Sequence, residues 1–370
     1  MKIYEVGGAV RDYVMNKKPH DFDYVVVGSS PQEMIKSGFI QVGKSFPVFL
    51  HPETKAEYAL ARKERKTGNK HTDFDFEFSP DITLSEDLRR RDFTCNALAK
   101  DIDSGEIIDE TGGIEDIRKK VLRHIDAFHF VEDPLRVLRM CRFSAQLGFD
   151  IDPETMVLAK KMVADGMLLN LSAERFREEF LKALQSERFS LFIKAMEECG
   201  ALKFLLTELS ECIKDAVKHK SFYDDVISVE KSCDLIKFAA LFRVVDDAKK
   251  IVGDCNKIRI SKDFKEFALK FNKYSRYFIK NKVSDDYLYD MLKDLTRLKY
   301  KNDLQLLFEA FKVFAIDAQD SEYRCDKIFA LCQKYKVNQL PNFAELSSGK
   351  QIQQIYKDFI LQNLKKSCIY

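Results

Sequence analysis

The stretch GGAVRDYVMNKKPHDFDYVVVG (7–28) decides the interpretation of the first hundred residues. It opens with a glycine pair, continues through a short segment that contains Arg11, and ends in the apolar run YVVV directly behind Asp21 and Asp23. Four consecutive residues of high β-propensity predict a buried strand. Two carboxylates that close together repel each other unless a cation lies between them. The stretch therefore predicts a functional site as well as a strand.

The hydrophobic pattern divides the chain into two parts. Up to about residue 110, short apolar runs such as FPVFLH (46–51) and EYALAR (57–62) predict strands, and KTGNKHTDFDFEFSPD (66–81) predicts a hairpin or loop. After residue 113, apolar residues recur at spacings of three and four, which predicts helices to the end of the chain. We therefore predict an α+β fold, with a small head built on a mixed sheet followed by an all-α neck, body and tail.

Composition narrows the class of protein. The chain has 370 residues and a formal net charge of +2, so a nucleic-acid partner would have to be held by a local basic face. Its nine cysteines include no CxxC pair, which favours reduced thiols in a cytoplasmic protein. No apolar signal core or membrane-spanning stretch is present in the sequence. We expect a cytoplasmic protein that does not associate with a membrane.

The carboxylate pair is the first candidate site. Side chains alternate along a strand, so Asp21 and Asp23 are expected on one face, where oxygen ligands and room for phosphate oxygens suit Mg²⁺. A solvated strand end is the ordinary alternative for such a pair. The second DFD, Asp73 to Asp75, is followed by Glu77 and no apolar strand, and a charged exposed edge explains it better.

The residues before the pair are suited to phosphate. Gly7 and Gly8 allow close approach of the backbone, and a helix beginning near Val10 would offer free N–H groups. Arg11 adds a charged donor to the same region. A pair of metal-binding carboxylates beside a phosphate-binding turn is typical of enzymes that catalyse phosphoryl or nucleotidyl transfer.

Five motifs in order resemble those of a known family. GGAVRD, DFDYVVVG, RRDFTCNALA (90–99), EDPLRVLR (132–139) and ERFREE (174–179) occur in this order in class II tRNA nucleotidyltransferases, the CCA-adding enzymes of the polymerase-β-like superfamily. The resemblance covers roughly residues 1–205 and is closest to the bacterial enzymes. It implies addition of C, C and A to the 3′ acceptor end of tRNA from CTP and ATP, with release of pyrophosphate.

The resemblance also implies domains and roles for residues. The expected domains are a nucleotidyltransferase head (1–125), a helical neck with the base-selecting motif (126–190), and an all-α, tRNA-binding body and tail (191–370). Asp21 and Asp23 would be the catalytic, Mg²⁺-binding pair, with Glu57 as a candidate third carboxylate. Nucleotide-binding residues would be Gly8, Arg11, Arg91, Asp133, Arg136 and Arg139. Asp92 and Asn96 would lie near the sugar, and the motif around Glu174, Arg175 and Glu179 would be structural.

The EDPLRVLR motif allows two interpretations. Pro134 suits the first turn of a helix, which would make Asp133 its N-cap. Alternatively, an Asp133 acceptor beside an Arg136 donor matches the donor and acceptor order of cytosine and adenine, whereas uracil and guanine present the reverse order. One such pair could accept C and A and reject U and G without a nucleic-acid template, which is how the family is understood to work.

The tail has too few histidines for the phosphohydrolase domain that many related bacterial enzymes carry. Beyond residue 129 the sequence contains only His219, and AALFRVVDDAKK has Asp246 and Asp247 without an adjacent His. We expect no functional HD phosphohydrolase site. The Lys- and aromatic-rich segment 256–282 could follow tRNA phosphates, or its Phe residues could be core beneath a solvated Lys face.

Other functions stay open on the sequence alone. The alternatives within enzymes are a poly(A) polymerase or a partial (CC- or A-only) adder. The alternative outside enzymes is an RNA-binding protein of the same fold that has lost catalysis. The oligomeric state is left open, with a monomer slightly favoured.

Overall fold

The computed structural model of the chain describes residues 1–19, 21–42, 48–66, 74–77, 79–275, 285–296, 301–314, 325–330, 332–333, 358 and 362. The chain forms two compact units, Met1–Leu205 and Leu206–Tyr370. The domain limits expected at residues 125 and 190 stay predictions.

Every strand found in the described residues lies in the first unit. Their bounds are β1 (Lys2–Val6), β2 (Asp23–Val27), β3 (Ile40–Val42), β4 (Val48–Leu50), β5 (Glu57–Leu60), β6 (Lys63–Lys66), β7 (Phe74–Glu77), β8 (Leu98–Asp101), β9 (Ile107–Asp109), β10 (Val121–Leu122) and β11 (Asp150–Ile151), as found in the described residues. Seven of them form one sheet in the order β3-β4-β5-β2-β1-β8-β9. Within it β2 and β5 are parallel and the other neighbours are antiparallel. The predicted mixed sheet is confirmed.

The period-two pattern of the strands covers both faces of this sheet. Val6 and Val25 point to one face, where they pack with Leu88. Val26 points to the other face and packs with Met34. Because β2 is buried on both faces, its sequence is a continuous apolar run, and its only carboxylate lies at the end where the strand begins.

The helices of the first unit begin at identifiable capping signals. Ser30 and Glu33, and Thr83 and Glu86, form reciprocal capping boxes. Ser172 accepts a hydrogen bond from a backbone N–H of the helix that it begins. The bounds are α1 (Gly8–Val14), α2 (Pro31–Lys36), α3 (Leu84–Arg89), α4 (Gly113–Lys119), α5 (Ala127–Glu132), α6 (Leu135–Leu147), α7 (Pro153–Ala164), α8 (Ala173–Leu184), α9 (Phe189–Glu198) and α10 (Ala201–Leu205).

Helices α8 and α9 share an aromatic core, and an ion pair joins α8 to α6. Phe180 lies 5.6–6.0 Å, between ring centroids, from Phe176, Phe189 and Phe192, and all four rings are buried. Arg142 on α6 donates from Nε to a Glu179 oxygen on α8 at 2.5 Å, and both side chains are less than a tenth exposed. A buried ion pair of this kind fixes how the two helices that carry the EDPLRVLR and ERFREE motifs face each other.

The second unit is helical throughout the part that the structure describes. Asn272 donates from its amide nitrogen to the carbonyl oxygens of Phe242 (2.7 Å) and Val245 (2.9 Å), so a buried side chain satisfies the end of a neighbouring helix. Among the described helices none is both long and apolar enough to cross a membrane. The helices are α11 (Thr207–Cys212), α12 (Ala216–Ser228), α13 (Asp234–Leu241), α14 (Ala248–Lys257), α15 (Lys262–Ser275), α16 (Asp285–Thr296) and α17 (Lys301–Val313).

Candidate active site

A cavity of about 830 Å³ opens in the first unit between the head sheet and helices α6 and α8. Its wall carries many charged residues, with carboxylates at the start of β2 and arginines from α1, α6, α8 and the segment just after α3. Every residue that the sequence predicted for the site lines this cavity: Gly8, Arg11, Asp21, Asp23, Arg91, Asp133, Arg136 and Arg139. The structure thus brings them together, whereas the roles assigned to them stay predictions.

The carboxylate end of the cavity lies at the start of β2. Asp23 is the first residue of the strand, and Asp21 precedes it by two. Register places Asp23 directly beside Glu57 of the parallel strand β5, and all three carboxylates are exposed. In the described part of the chain, no side chain donates a hydrogen bond to, or forms an ion pair with, Asp21 or Asp23.

These carboxylates fit a divalent cation by the chemistry of their donors. Oxygen ligands from one or two carboxylates, open to solvent and to phosphate oxygens, are what Mg²⁺ takes. Across the residues described, no set of three or more His, Cys, Asp and Glu is arranged to hold a metal. Asp21 and Asp23 stay the candidate metal ligands. Glu57 lies beside Asp23 in the strand register.

The cavity wall also carries Arg91, whose guanidinium has hydrogen-bond partners at two of its three nitrogens. Nη2 donates to Asp87 at 3.2 Å and Nη1 to the carbonyl oxygen of Asn96 at 3.5 Å. Nε is buried and makes no hydrogen bond in the structure. A buried charged donor without an acceptor favours an anion in the cavity.

Asp87 holds the two neighbouring arginines in place. It is fully buried, and it pairs with Arg90 at 2.6 Å and Arg91 at 3.2 Å. Burial alone would raise the pKa of Asp87, but the charges of Arg90 and Arg91 outweigh it and keep the pKa below its usual value. Asp87 thus stays ionised and orients arginines of the cavity wall.

Gly7 shapes the turn between β1 and α1. Its φ of 74° and ψ of −130° lie in a region that only glycine adopts without strain. A Cβ at this position would lie 3.2 Å from Nη1 of Arg91. At Gly8, the glycine that was predicted for the site, a Cβ would be in ordinary contact with Arg11. Gly7 is therefore the more constrained of the pair.

A chain of hydrogen bonds joins Arg11 on α1 to Arg139 on α6. Arg11 donates to Oδ1 of Asn96 at 2.8 Å, and the Asn96 amide donates to Asp92 at 3.3 Å. Arg139 donates to the other oxygen of Asp92 at 2.6–2.7 Å. Burial would raise the pKa of Asp92, but Arg139 and Asn96 hold it below its usual value, and the same ion pair raises the pKa of Arg139.

Phe143 lies against three guanidinium groups. The central carbon of Arg142 is 4.0 Å from the ring centroid, that of Arg139 is 5.2 Å and that of Arg11 is 5.8 Å. A ring face attracts cations, so Phe143 holds arginines from two different helices close together despite their like charge.

The side chains of the predicted base-selecting residues have different hydrogen-bond partners, although Arg136 N–H donates to the Asp133 carbonyl oxygen at 3.0 Å. Both oxygens of Asp133 accept hydrogen bonds from Arg175, at 2.7 and 3.1 Å, and Oδ1 also accepts the backbone N–H of Leu135 at 3.0 Å. Arg136 donates instead to the carbonyl oxygens of His129 (2.8 Å) and Arg90 (2.7 Å). The Asp133 carboxylate therefore accepts the N–H of the first residue of α6, the kind of contact that the capping interpretation expects, and it lines the cavity as well.

Sequence reasoning missed some residues of the wall. Arg175 was regarded as structural, yet it lines the cavity and forms a bidentate ion pair with Asp133. Gln146 and Lys182 also line it, about two turns and one turn, respectively, beyond the motifs that were recognised. The helical spacing 136, 139, 143, 146 on α6 is the signal that could have extended the wall.

In the second unit, the residues near the expected HD position have structural contacts. Asp246 pairs with Lys218 at 2.6 Å, and Asp247 caps α14. In segment 256–282, the rings of Phe267, Phe271 and Tyr274 are buried, which agrees with the core interpretation for the portion up to residue 275. Residues 276–282, and Asp73 of the second DFD, lie outside the described residues.

Comparison with known proteins gives two family matches. Residues 3–123 match the Poly A polymerase head domain, and residues 148–213 match the probable RNA and SrmB-binding site of polymerase A. The first match contains the carboxylate pair and the Arg91 motif, and the second contains Arg175.

Curated relatives match more than half of the chain. A Multifunctional CCA protein of Vibrio cholerae serotype O1 is 51% identical over 212 residues, which are 56% of this chain and 52% of the relative. A protein of the same name from Teredinibacter turnerae is 46% identical over 255 residues, 65% of this chain and 62% of the relative. The chain spans only about half to two thirds of the length of these relatives.

Solved structures share the fold over nearly the whole chain. A CCA-adding enzyme in complex with CTP covers 98% of this chain and 87% of its own, with a TM-score of 0.68 at 20% identity. The Thermotoga maritima CCA-adding enzyme complexed with tRNA covers the same shares, with a TM-score of 0.63 at 21% identity. At these identities the likeness concerns the fold, and it confirms the predicted fold class.

The family recognised from the five motifs is confirmed. The match over residues 3–123 to the Poly A polymerase head domain supports a nucleotidyltransferase head in this chain. The relatives that the chain matches are bacterial CCA proteins and CCA-adding enzymes.

Proposed function

We propose that the chain is a CCA tRNA nucleotidyltransferase, which adds C, C and A to the 3′ end of tRNA without a nucleic-acid template. One observation carries the proposal: a cavity in a nucleotidyltransferase head is lined by an exposed carboxylate pair and by arginine donors, including a buried Nε that lacks an acceptor. The named relatives support this choice of activity, and tRNA, CTP and ATP are the proposed partners. A tRNA substrate also suits the cytoplasmic location that the cysteines predict.

In the proposed reaction, the 3′-hydroxyl of tRNA attacks the α-phosphate of CTP or ATP. The new phosphodiester bond forms as the bond to the β-phosphate breaks, and pyrophosphate leaves. Mg²⁺ held by Asp21 and Asp23 would supply positive charge to the phosphate oxygens. Arg11 and Arg91 bind the negative charge of the triphosphate, and the Asn96–Asp92–Arg139 chain holds the neighbouring wall rigid.

The contacts of Arg11 and Arg91 suit the proposed binding of the triphosphate. Arg91 is ordered by Asp87 and Arg11 by Asp12 and Asn96, so neither has to pay much entropy to meet an anion. Gly7 lets the backbone turn pass directly beside Arg91. Preorganised donors of this kind account for a large share of the rate in phosphoryl transfer.

The test uses tRNA that lacks its 3′ end. We expect incubation with CTP alone to add two nucleotides, with ATP alone to add none, and with both to add three and stop. A long homopolymeric product from ATP would identify a poly(A) polymerase, and arrest after CC or dependence on a preformed CC end would identify a partial adder. Binding of tRNA without incorporation of any nucleotide would contradict an enzymatic function.

A second assay concerns the second unit. We propose that it holds RNA and has no HD phosphohydrolase activity, since Asp246 and Asp247 are used in an ion pair and a helix cap. Hydrolysis of 2′,3′-cyclic nucleotides with added Ni²⁺ or Mn²⁺ that persists after mutation of the head would contradict this proposal.

A further inference from the structure

The carboxylate of Asp133 is held in one orientation by named contacts. Oδ1 accepts two hydrogen bonds, from Leu135 N–H and from Nη1 of Arg175, and Oδ2 accepts one from Nη2 of Arg175. A carboxylate offers about four acceptor positions, two on each oxygen. In the part of the chain that the structure describes, one position on Oδ2 is thus left for a donor from the cavity.

The orientation of Asp133 does not depend on Arg136. That side chain donates to two backbone carbonyls, from His129 and Arg90. Leu135 N–H contacts only one oxygen, so by itself it would leave the carboxylate free to rotate about its bond to Cβ. The bidentate contact from Arg175 on α8 removes this rotation, because two parallel hydrogen bonds require one plane.

We propose that Arg175 is a positioning residue for base selection: it fixes Asp133 so that the free acceptor of Oδ2 meets the exocyclic amino group of cytosine or adenine. This inference rests on the proposed function, and it deepens that function by naming the residue that sets its specificity. Uracil and guanine present a carbonyl oxygen at the corresponding position, which a fixed carboxylate repels and leaves unpaired.

The position of Arg175 supports this role. The side chains of Arg175 and Asp133 are each about a quarter exposed, at 24% and 25%, so the pair stands at the cavity surface. By contrast, Arg142 and Glu179 join the same two helices at 7% and 5% exposure. The helices are thus already joined by a buried pair, and the second, exposed pair is available for recognition.

The test compares Arg175→Gln with Arg177→Gln. Both replace an arginine of α8, but residue 177 does not line the cavity. Binding of CTP, ATP, UTP and GTP is measured by isothermal titration, and incorporation into tRNA is measured alongside. In Arg175→Gln we expect CTP and ATP to bind about ten-fold more weakly together, and the ratio of UTP to CTP incorporation to rise about ten-fold, as for loss of one charge-assisted hydrogen bond. Arg177→Gln should leave the binding of CTP and ATP and the ratio of UTP to CTP incorporation unchanged.

A double-mutant comparison separates positioning from stability. In an Asp133→Asn background, Arg175→Gln should have little further effect on nucleotide selection, because it acts through Asp133. Arg175→Lys keeps the charge but cannot make the planar contact, and it should relax selection as Gln does. Unchanged nucleotide ratios in folded Arg175→Gln or Arg175→Lys would overturn the inference. A wild-type protein that incorporates no nucleotide would defeat the proposed function, and the binding ratios would still decide the role of Arg175.

Discussion

Asp21 and Asp23 line the same cavity as Asp92 and Asp133, but the two pairs have opposite surroundings. Asp21 and Asp23 are exposed and have no side-chain partner within the described residues. Asp92 is 6% exposed and paired with Arg139, and Asp133 is paired with Arg175. A carboxylate that is already paired with an arginine can only orient that arginine or accept a hydrogen bond from a ligand. An acid left without a cation is able to bind one, so the comparison separates the proposed metal ligands from the residues that position them.

The largest expected effect concerns the unpartnered pair. Replacement of Asp21 or Asp23 by Ala should reduce nucleotide incorporation to the detection limit, while the free energy of unfolding changes by less than about 0.5 kcal/mol, as for exposed substitutions. The measurements are incorporation at saturating Mg²⁺, tRNA binding and urea denaturation. Glu57→Ala, the neighbour of Asp23 in register, is the matched variant. Near-normal incorporation by either aspartate variant would remove the metal assignment.

The second prediction concerns the paired acid Asp92. Asp92→Asn should lower the free energy of unfolding by about 1.5–3 kcal/mol, because it removes the charge that pairs with Arg139, whose side chain is 32% exposed. Denaturant midpoints of the wild type and the variant measure this loss, with the exposed Asp150→Asn as control. A loss no larger than that of the control would show that the ion pair contributes nothing to stability.

The third prediction concerns the glycine beside Arg91. Gly7→Ala should destabilise the fold by about 1–2 kcal/mol through its positive φ and displace Arg91, which raises the KM for nucleotides. Gly105 has the same φ of 74°, but a Cβ there would meet nothing within 4 Å, so Gly105→Ala measures strain without crowding. Equal KM values for the two variants would show that crowding of Arg91 is unimportant.

The smallest expected effect is a pH dependence. The pKa of Asp87 is held below its usual value by Arg90 and Arg91, against the effect of burial. Its ion pairs therefore stabilise the fold above about pH 4, the unfolded value, and this contribution is lost as the pH falls through the lower, folded value. Unfolding free energies between pH 6 and pH 3 should fall more steeply for the wild type than for Asp87→Asn. Parallel curves, as expected for the exposed control Asp103→Asn, would contradict this coupling.

Some of these features could be predicted from sequence because they depend on local patterns. The run YVVV with a preceding acid predicts a buried strand with a carboxylate at its start, and the sheet has both. The spacing in EDPLRVLR predicts a capped helix with Arg136 and Arg139 near one face, and both line the cavity. The five motifs also occur in a fixed order along the chain, and this order identifies a family more specifically than any single residue could.

The pairing of side chains could not be predicted. The partner of Asp133 lies 42 residues away on α8, while the nearby Arg136 extends to the carbonyl of Arg90, 46 residues earlier. Such choices depend on how helices pack in three dimensions, and single-sequence spacing contains little of that information. For the same reason Gly8 was selected over Gly7, although only the structure shows which glycine lies against Arg91.

The position of β1 has a consequence for synthesis of the protein. Lys2–Val6 lies between β2 and β8 in the sheet. Its partner on the β8 side comes late in the sequence of the head, since Tyr4 pairs with Asp101. A ribosome makes β1 first, so this strand has one unpaired edge until nearly a hundred further residues have emerged. Unpaired apolar edges bind other chains. During translation, one edge of β1 is therefore open to other chains until β8 pairs with it.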